Sequence, residues 1–205
     1  MRNRKLCAPM LAISVGMCSV VSGQPTDEPG AAEIGKAAPD FTLKSIDGKE
    51  VKLSDYLGKF VVLEWTNHQC PFVKRFVADK HRPQKISATY ARQDVVWLSI
   101  DSSHFVQDKI DDIKAFRQNE RIEYPLLLDP AGKVGRAYGA KTTPHLFVID
   151  REGKLRYAGA PDDDRAGDKT NPRLYVEEAI RALIDRTELP LTKTQPYGCT
   201  VKYAG

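Results

Sequence analysis

The run Phe60-Val61-Val62-Leu63-Glu64-Trp65 is continuous, largely β-branched and apolar, with a single acid. That pattern suits a strand covered on both faces, as parallel strands between helices are. After four intervening residues the chain reads Cys70-Pro71. Pro71 fits the first turn of a helix, where its missing N–H goes unused and its fixed φ is already helical. Phe72, Val73, Phe76 and Val77 then recur at helical spacing. A buried strand feeding a helix through a short polar turn is the building unit of α/β sheets.

The rest of the chain repeats that unit. Val95 to Ile100 reads as a second buried strand, and Ser102 or Ser103 is placed to cap a helix with Val106, Ile110, Ile113 and Phe116 inside. Upstream, Phe41, Leu43 and Ile46 face Val51 and Leu53 across the turn Asp47-Gly48, which predicts a hairpin, and Ser54 to Gly58 reads as one helical turn. Downstream come a strand at 124–128, a short helix near 134–138, a strand at 146–150, its antiparallel return at 155–158 and a final helix from about 172 to 186. Pro83 is expected to kink or end the helix after Cys70. Residues 161–172, with Asp162-Asp163-Asp164 and Asp168, read as an acidic, solvated loop without calcium-loop spacing. The order predicts a central mixed sheet with helices on both faces.

The N-terminus has a different logic. Met1-Arg2-Asn3-Arg4-Lys5 is basic and residues 6–21 are apolar or small, the layout of a signal peptide ending near Gly23. The run is too short and too interrupted for a transmembrane anchor. Met17 before Cys18 is too large for a lipoprotein site. Residues 24–38 then read as a flexible leader, 39–187 as one domain and 188–205 as a C-terminal extension carrying Cys199. Loss of Arg2, Arg4 and Lys5 lowers the net charge from +4 to +1 (4 − 3), so the basic balance implies no nucleic-acid partner. Cleavage also removes Cys7 and Cys18 and leaves Cys70 and Cys199. In a periplasmic or extracellular setting such a pair invites a disulfide.

Cys70 is the candidate nucleophile. It lies at the carboxyl end of a buried strand and the start of a helix, where unpaired N–H groups favour a thiolate. Lys74 and Arg75 add positive charge, and His68 lies two positions before it. The bland alternative is an inert buried cysteine. Thr143-Pro144, directly before a strand, points to a cis bond turned toward the site, or else to an ordinary turn proline. His68, His81, His104 and His145 are scattered, so no metal site and no cofactor are expected.

With these residues in view, the strand, Cys70 and Thr143-Pro144 before Leu146-Phe147-Val148-Ile149-Asp150 resemble the thioredoxin superfamily. Asn67-His68-Gln69-Cys70-Pro71-Phe72-Val73-Lys74 together with Gly198-Cys199-Thr200-Val201-Lys202 is similar to the peroxiredoxin-like redoxins of the alkyl hydroperoxide reductase and thiol-specific antioxidant family. The resemblance runs from about Ile34 to Tyr203. It implies a thioredoxin-like fold and a Cys70 that corresponds to the peroxidatic cysteine. Val73 stands where a second thioredoxin cysteine would be, and no arginine matches the one that polarises peroxide in peroxiredoxins.

The resulting expectation is an exported, thiol-dependent antioxidant enzyme that reduces hydroperoxides. Cys70 would pass through a sulfenic acid and Cys199, in a flexible tail, would resolve it. Thr66, Asn67, His68, Lys74, Thr143 and Pro144 would orient the substrate. An external thiol reductant, such as a thioredoxin-like protein, would restore the enzyme. Thiol-disulfide exchange with a protein partner and a non-catalytic binding module are the alternatives, with Cys199 as a structural or unpaired thiol.

Overall fold

The computed structural model describes residues 32–204. The signal-peptide reading, Cys7, Cys18 and residues 24–31 of the leader lie outside the described residues.

The first strands are β1 (Thr42–Ser45), β2 (Glu50–Lys52) and β3 (Phe60–Trp65). Every residue of β3 is buried, and Val62, Leu63 and Trp65 have no exposed surface. Each aliphatic side chain buried this way contributes roughly 1.5–3 kcal/mol, so this strand anchors the sheet. It runs parallel to β4 (Val95–Asp101) and antiparallel to β7 (His145–Ile149). β5 (Leu126–Leu128) lies parallel to β4, the hairpin β1–β2 adds beyond β5, and β8 (Leu155–Gly159) closes the far side against β7. The order is β2-β1-β5-β4-β3-β7-β8.

Alternation along β3 divides the core. Phe60 and Val62 pack with Val73, Phe76 and Val77 after Cys70, with Ile86 and Tyr90 of α2 (Arg82–Tyr90), and with Val176 and Ile180 of α5 (Tyr175–Asp185). Val61, Leu63 and Trp65 face Tyr138 of α4 (Lys133–Tyr138) and Val201 on the opposite side. Ile113 of α3 (Ile110–Asn119) packs with Val106 against Leu126 and Ile46. Helices therefore cover both faces of a mixed sheet, as the sequence pattern predicts.

One local expectation holds with the break set just ahead of its proline, and two need correction. The helix after Cys70 ends just before Pro83, and a second piece carries Ile86 and Tyr90. α1 (Pro71–Lys74) widens into a π-helical turn over Arg75–Asp79, the chain breaks at His81 with φ of 48°, and Pro83 sits in the first turn of α2. Neither Ser102 nor Ser103 caps α3, which begins at Ile110. Both are buried, and Ser102 accepts the Trp65 indole N–H (3.0 Å) and donates to Asp129 (2.7 Å). Asp162 and Asp164 are buried too, paired with Arg82. Burial of such charges is tolerated only with a partner, and the sequence of the loop does not show one.

The described part of the leader, from Ala32 on, and the C-terminal extension are also more firmly held than a free leader and tail would be. Ala32, Gly35 and Ala38 donate backbone hydrogen bonds to Ala137, Leu155 and Gly153. The extension forms a strap. Thr194 Oγ1 meets Tyr157 Oη at 2.6 Å, Tyr197 donates to Asp162 at 2.6 Å, and β9 (Cys199–Thr200) pairs with β6 (Thr142–Thr143). Further along, the Val201 N–H donates to Lys141 O and the His104 N–H to Lys202 O.

Candidate active site

Cys70 follows β3 after a four-residue turn and is the residue before the first turn of α1, its carbonyl accepting the Lys74 N–H at 2.9 Å. Asn67 shapes the turn that delivers it. Its carbonyl accepts the Cys70 N–H (3.0 Å), its Oδ1 accepts the Gln69 N–H (2.8 Å), and its Nδ2 donates to Ser103 Oγ (2.8 Å). The Ser103 N–H in turn donates to Asp101 Oδ1 (2.8 Å). Asp101 is pushed up to about 6 by burial, against the opposing hydrogen bonds from Ser103.

On the other side lies the strap. The Thr143–Pro144 peptide is cis, and the Thr143 carbonyl is 3.0 Å from Cys70 Sγ. The antiparallel register sets Cys199 opposite Thr143, and the two sulfurs stand 2.8 Å apart as free thiols. A disulfide needs about 2.05 Å, so closing the bond requires a shift of less than one ångström. Gly198 makes this approach feasible. Its φ is +128°, and a Cβ there would fall 2.1 Å from Thr143 O. Only a residue without a side chain fits.

The two thiols differ electrostatically. Burial disfavours a Cys70 thiolate, but hydrogen bonds from Cys199, Thr143 and the Val73 amide outweigh it and hold Cys70 below the ordinary thiol range. Cys199 is pushed up to about 11 by desolvation, by its hydrogen bond to Cys70 and by the charge on that neighbour. Of the two thiols Cys70 is therefore the more acidic. That ordering makes Cys70 the candidate nucleophile of the two.

A groove of about 120 Å³ opens at the sulfur pair, lined by Asn67, Gln69, Cys70, Phe105, Thr143, Cys199, Thr200 and Lys202. Of the residues expected to orient a substrate, Asn67 and Thr143 are here. Pro144 is buried behind Thr143, and Lys74 is exposed along α1. Thr66 and His68 instead line a separate cavity of about 20 Å³ with Asp101, Phe116, Arg117 and Tyr124. His68 is lowered chiefly by burial, and its ring faces Phe116 at 6.4 Å. Lys202, Phe105, Ser103 and Asp101 are contributors that sequence reasoning missed. Lys202 had a signal, since it belongs to the same short segment as Cys199. Ser103 had only the look of a helix cap. Among the described residues no three metal-ligating side chains converge.

A family model described as the AhpC/TSA family matches residues 34–158, more than half of the chain. The chain belongs to the AhpC/TSA family. Among its relatives are proteins named for two different activities. It is 29% identical over 129 residues to the thiol-disulfide oxidoreductase ResA of Geobacillus thermodenitrificans, covering 63% of this chain and 70% of that protein. It is 30% identical over 184 residues to peroxiredoxin-2 of Macaca fascicularis, covering 84% and 91%. In three dimensions it is similar to an uncharacterised conserved protein of Geobacillus kaustophilus, with a TM-score of 0.75, 28% identity and coverage of 84% and 93%. The fold is thioredoxin-like. No helix among the described residues is long and apolar enough to cross a membrane.

Proposed function

We propose that this AhpC/TSA protein is a thiol-disulfide oxidoreductase whose working couple is Cys70 and Cys199. The observation that carries this reading is the 2.8 Å separation of the two sulfurs across the β6–β9 pairing. The Cys70 thiolate attacks one sulfur of a partner's disulfide. A mixed disulfide forms and the partner's other sulfur leaves as a thiolate. Cys199, after losing its proton, attacks Cys70 Sγ, and the partner leaves with both sulfurs reduced. The enzyme then holds a Cys70–Cys199 disulfide, and an external dithiol returns it to the starting state. The likeness to a relative named as a thiol-disulfide oxidoreductase supports this class of chemistry.

Hydroperoxide reduction is the second reading, favoured by the same dyad and by the likeness to peroxiredoxin-2. The thiolate attacks the distal peroxide oxygen, an alcohol leaves, and the Cys70 sulfenic acid condenses with Cys199 to release water. The groove lacks an arginine. Arg75 donates to carbonyls at 164–166 and Arg117 to those of Ile122 and Tyr124, so the cation beside the sulfurs is Lys202. This weighs against fast peroxide cleavage.

The experiment compares wild type, Cys70→Ser and Cys199→Ser for reduction of a model protein disulfide and for consumption of hydrogen peroxide, each with dithiothreitol as electron source. Disulfide turnover that depends on Cys70 supports the first reading. Peroxide turnover with no disulfide turnover overturns it in favour of the second. Export is part of the proposal, from the basic start and apolar run of residues 1–23. A mature protein whose measured mass begins near Gln24 is the expected result, and retention of Met1 would contradict it.

A further inference from the structure

The strap that presents Cys199 is fastened two residues earlier by an ion pair remote from the sulfurs. Asp162 and Asp164 are 2% exposed, and Arg82, at the start of α2, pairs with both. Asp162 Oδ1 accepts the Tyr197 hydroxyl at 2.6 Å and the Asp164 N–H at 2.8 Å. Arg75, on the helix that carries Cys70, donates to the carbonyls of Asp164, Arg165 and Ala166 and so fixes the same loop from the nucleophile's side. The Tyr197 ring stands 6.0 Å from that of Phe72 on the same helix.

Two buried carboxylates and a guanidinium are an expensive way to gain stability, because desolvation consumes much of their attraction. Their better-attested use is to specify one arrangement over others. Here the arrangement concerns the Tyr197 hydroxyl. Between Tyr197 and Cys199 there is only Gly198, seated against the Thr143 carbonyl with no room for a side chain. A displacement of Tyr197 is therefore passed to the Cys199 sulfur with little slack to absorb it.

We propose that Tyr197, held by the buried Asp162–Arg82 pair, is a positioning residue that sets the effective concentration of Cys199 at Cys70 and thereby the redox potential of the couple. This rests on the dithiol reading above and adds the element that tunes it. The relevant equilibrium is protein dithiol plus oxidised glutathione going to protein disulfide plus two reduced glutathione molecules. The native strap favours the right-hand side because the second thiol is already in place.

The test measures that equilibrium constant in glutathione buffers for the full chain and for Tyr197→Phe. A hydrogen bond to a charged group is worth about a factor of ten or more, so the variant should lower the constant about tenfold, a shift of about 30 mV toward easier reduction. In a Cys199→Ser background, Tyr197→Phe should leave the alkylation rate of Cys70 by iodoacetamide unchanged, a result that general loosening of the site would not give. Asp162→Asn provides a second variant and should shift the constant in the same direction. An unchanged constant in both variants, with the wild-type disulfide forming, overturns the positioning role alone. Absence of a Cys70–Cys199 disulfide in wild type at every glutathione ratio overturns the dithiol reading and the positioning role together.

Discussion

The two sulfurs meet in one groove but are brought there by opposite means. Cys70 is placed by neighbours in sequence: β3 before it, Pro71 after it and the Asn67 turn between. Cys199 is placed by partners far along the chain, through Thr143, Tyr157, Asp162 and His104. The placement of Cys70 is thus a property of a local junction. The readiness of Cys199 is a property of a strap whose every fastening is long-range, and long-range fastenings can be loosened singly without unmaking the core.

The most severe break in this comparison is Cys70→Ser, which should reduce disulfide turnover to the uncatalysed level while far-UV circular dichroism stays native. Cys199→Ser should slow turnover by about 10²-fold, since the resolving thiol must then come from solution. The mixed disulfide should accumulate and be visible by non-reducing electrophoresis. Equal turnover in Cys199→Ser and wild type would reduce the strap to a structural feature.

The junction side can be probed through Glu64, fully buried in β3. Its Oε2 accepts the Trp97 indole N–H at 2.8 Å, while Oε1 has no partner among the described residues. Burial pushes its carboxyl up to about 7, against hydrogen bonding from Trp97 and the charge of Arg117. The folded state therefore keeps a proton that the unfolded chain releases near 4.5. Stability falls as pH rises through that window, by on the order of 3 kcal/mol. Glu64→Gln keeps the acceptor for Trp97 and should flatten this decline, as read by urea denaturation at pH 5 and pH 8. A slope identical to wild type would contradict the assignment.

The smallest expected effect is Gly198→Ala on the strap side. A Cβ at 2.1 Å from Thr143 O and a φ of +128° should cost about 1–3 kcal/mol locally. That cost should appear as strap release, read by faster hydrogen exchange at residues 197–202, more than as a lower melting temperature. A fall in melting temperature with no change in exchange there would erase the distinction between the two regions.

The same distinction governs what could be read in advance. The Phe60–Trp65 strand, Pro71 at the helix start, the Asp47-Gly48 hairpin and the cis Thr143–Pro144 bond were legible because each is written in adjacent residues. Asp162 and Asp164 read as solvent-facing because their partner Arg82 lies 80 positions from Asp162 in the chain. Ser102 and Ser103 read as caps because a short polar pair before apolar spacing is ambiguous until Trp65, Asp129 and Asn67 are seen around it. His68 looked like part of the site from its place two residues before Cys70, yet the turn directs it into the cavity beside Phe116. Proximity in sequence located the strand–helix junction that carries Cys70, and it misled about what surrounds it.

The pairing of the two sulfurs is tested most directly by mass spectrometry of the full chain after one equivalent of oxidised dithiothreitol or glutathione disulfide. The expected product is a monomer lacking two hydrogens, with a proteolytic fragment that joins the Cys70 and Cys199 peptides. A protein that remains a free dithiol, or that forms only adducts and intermolecular disulfides at Cys70, would contradict the couple.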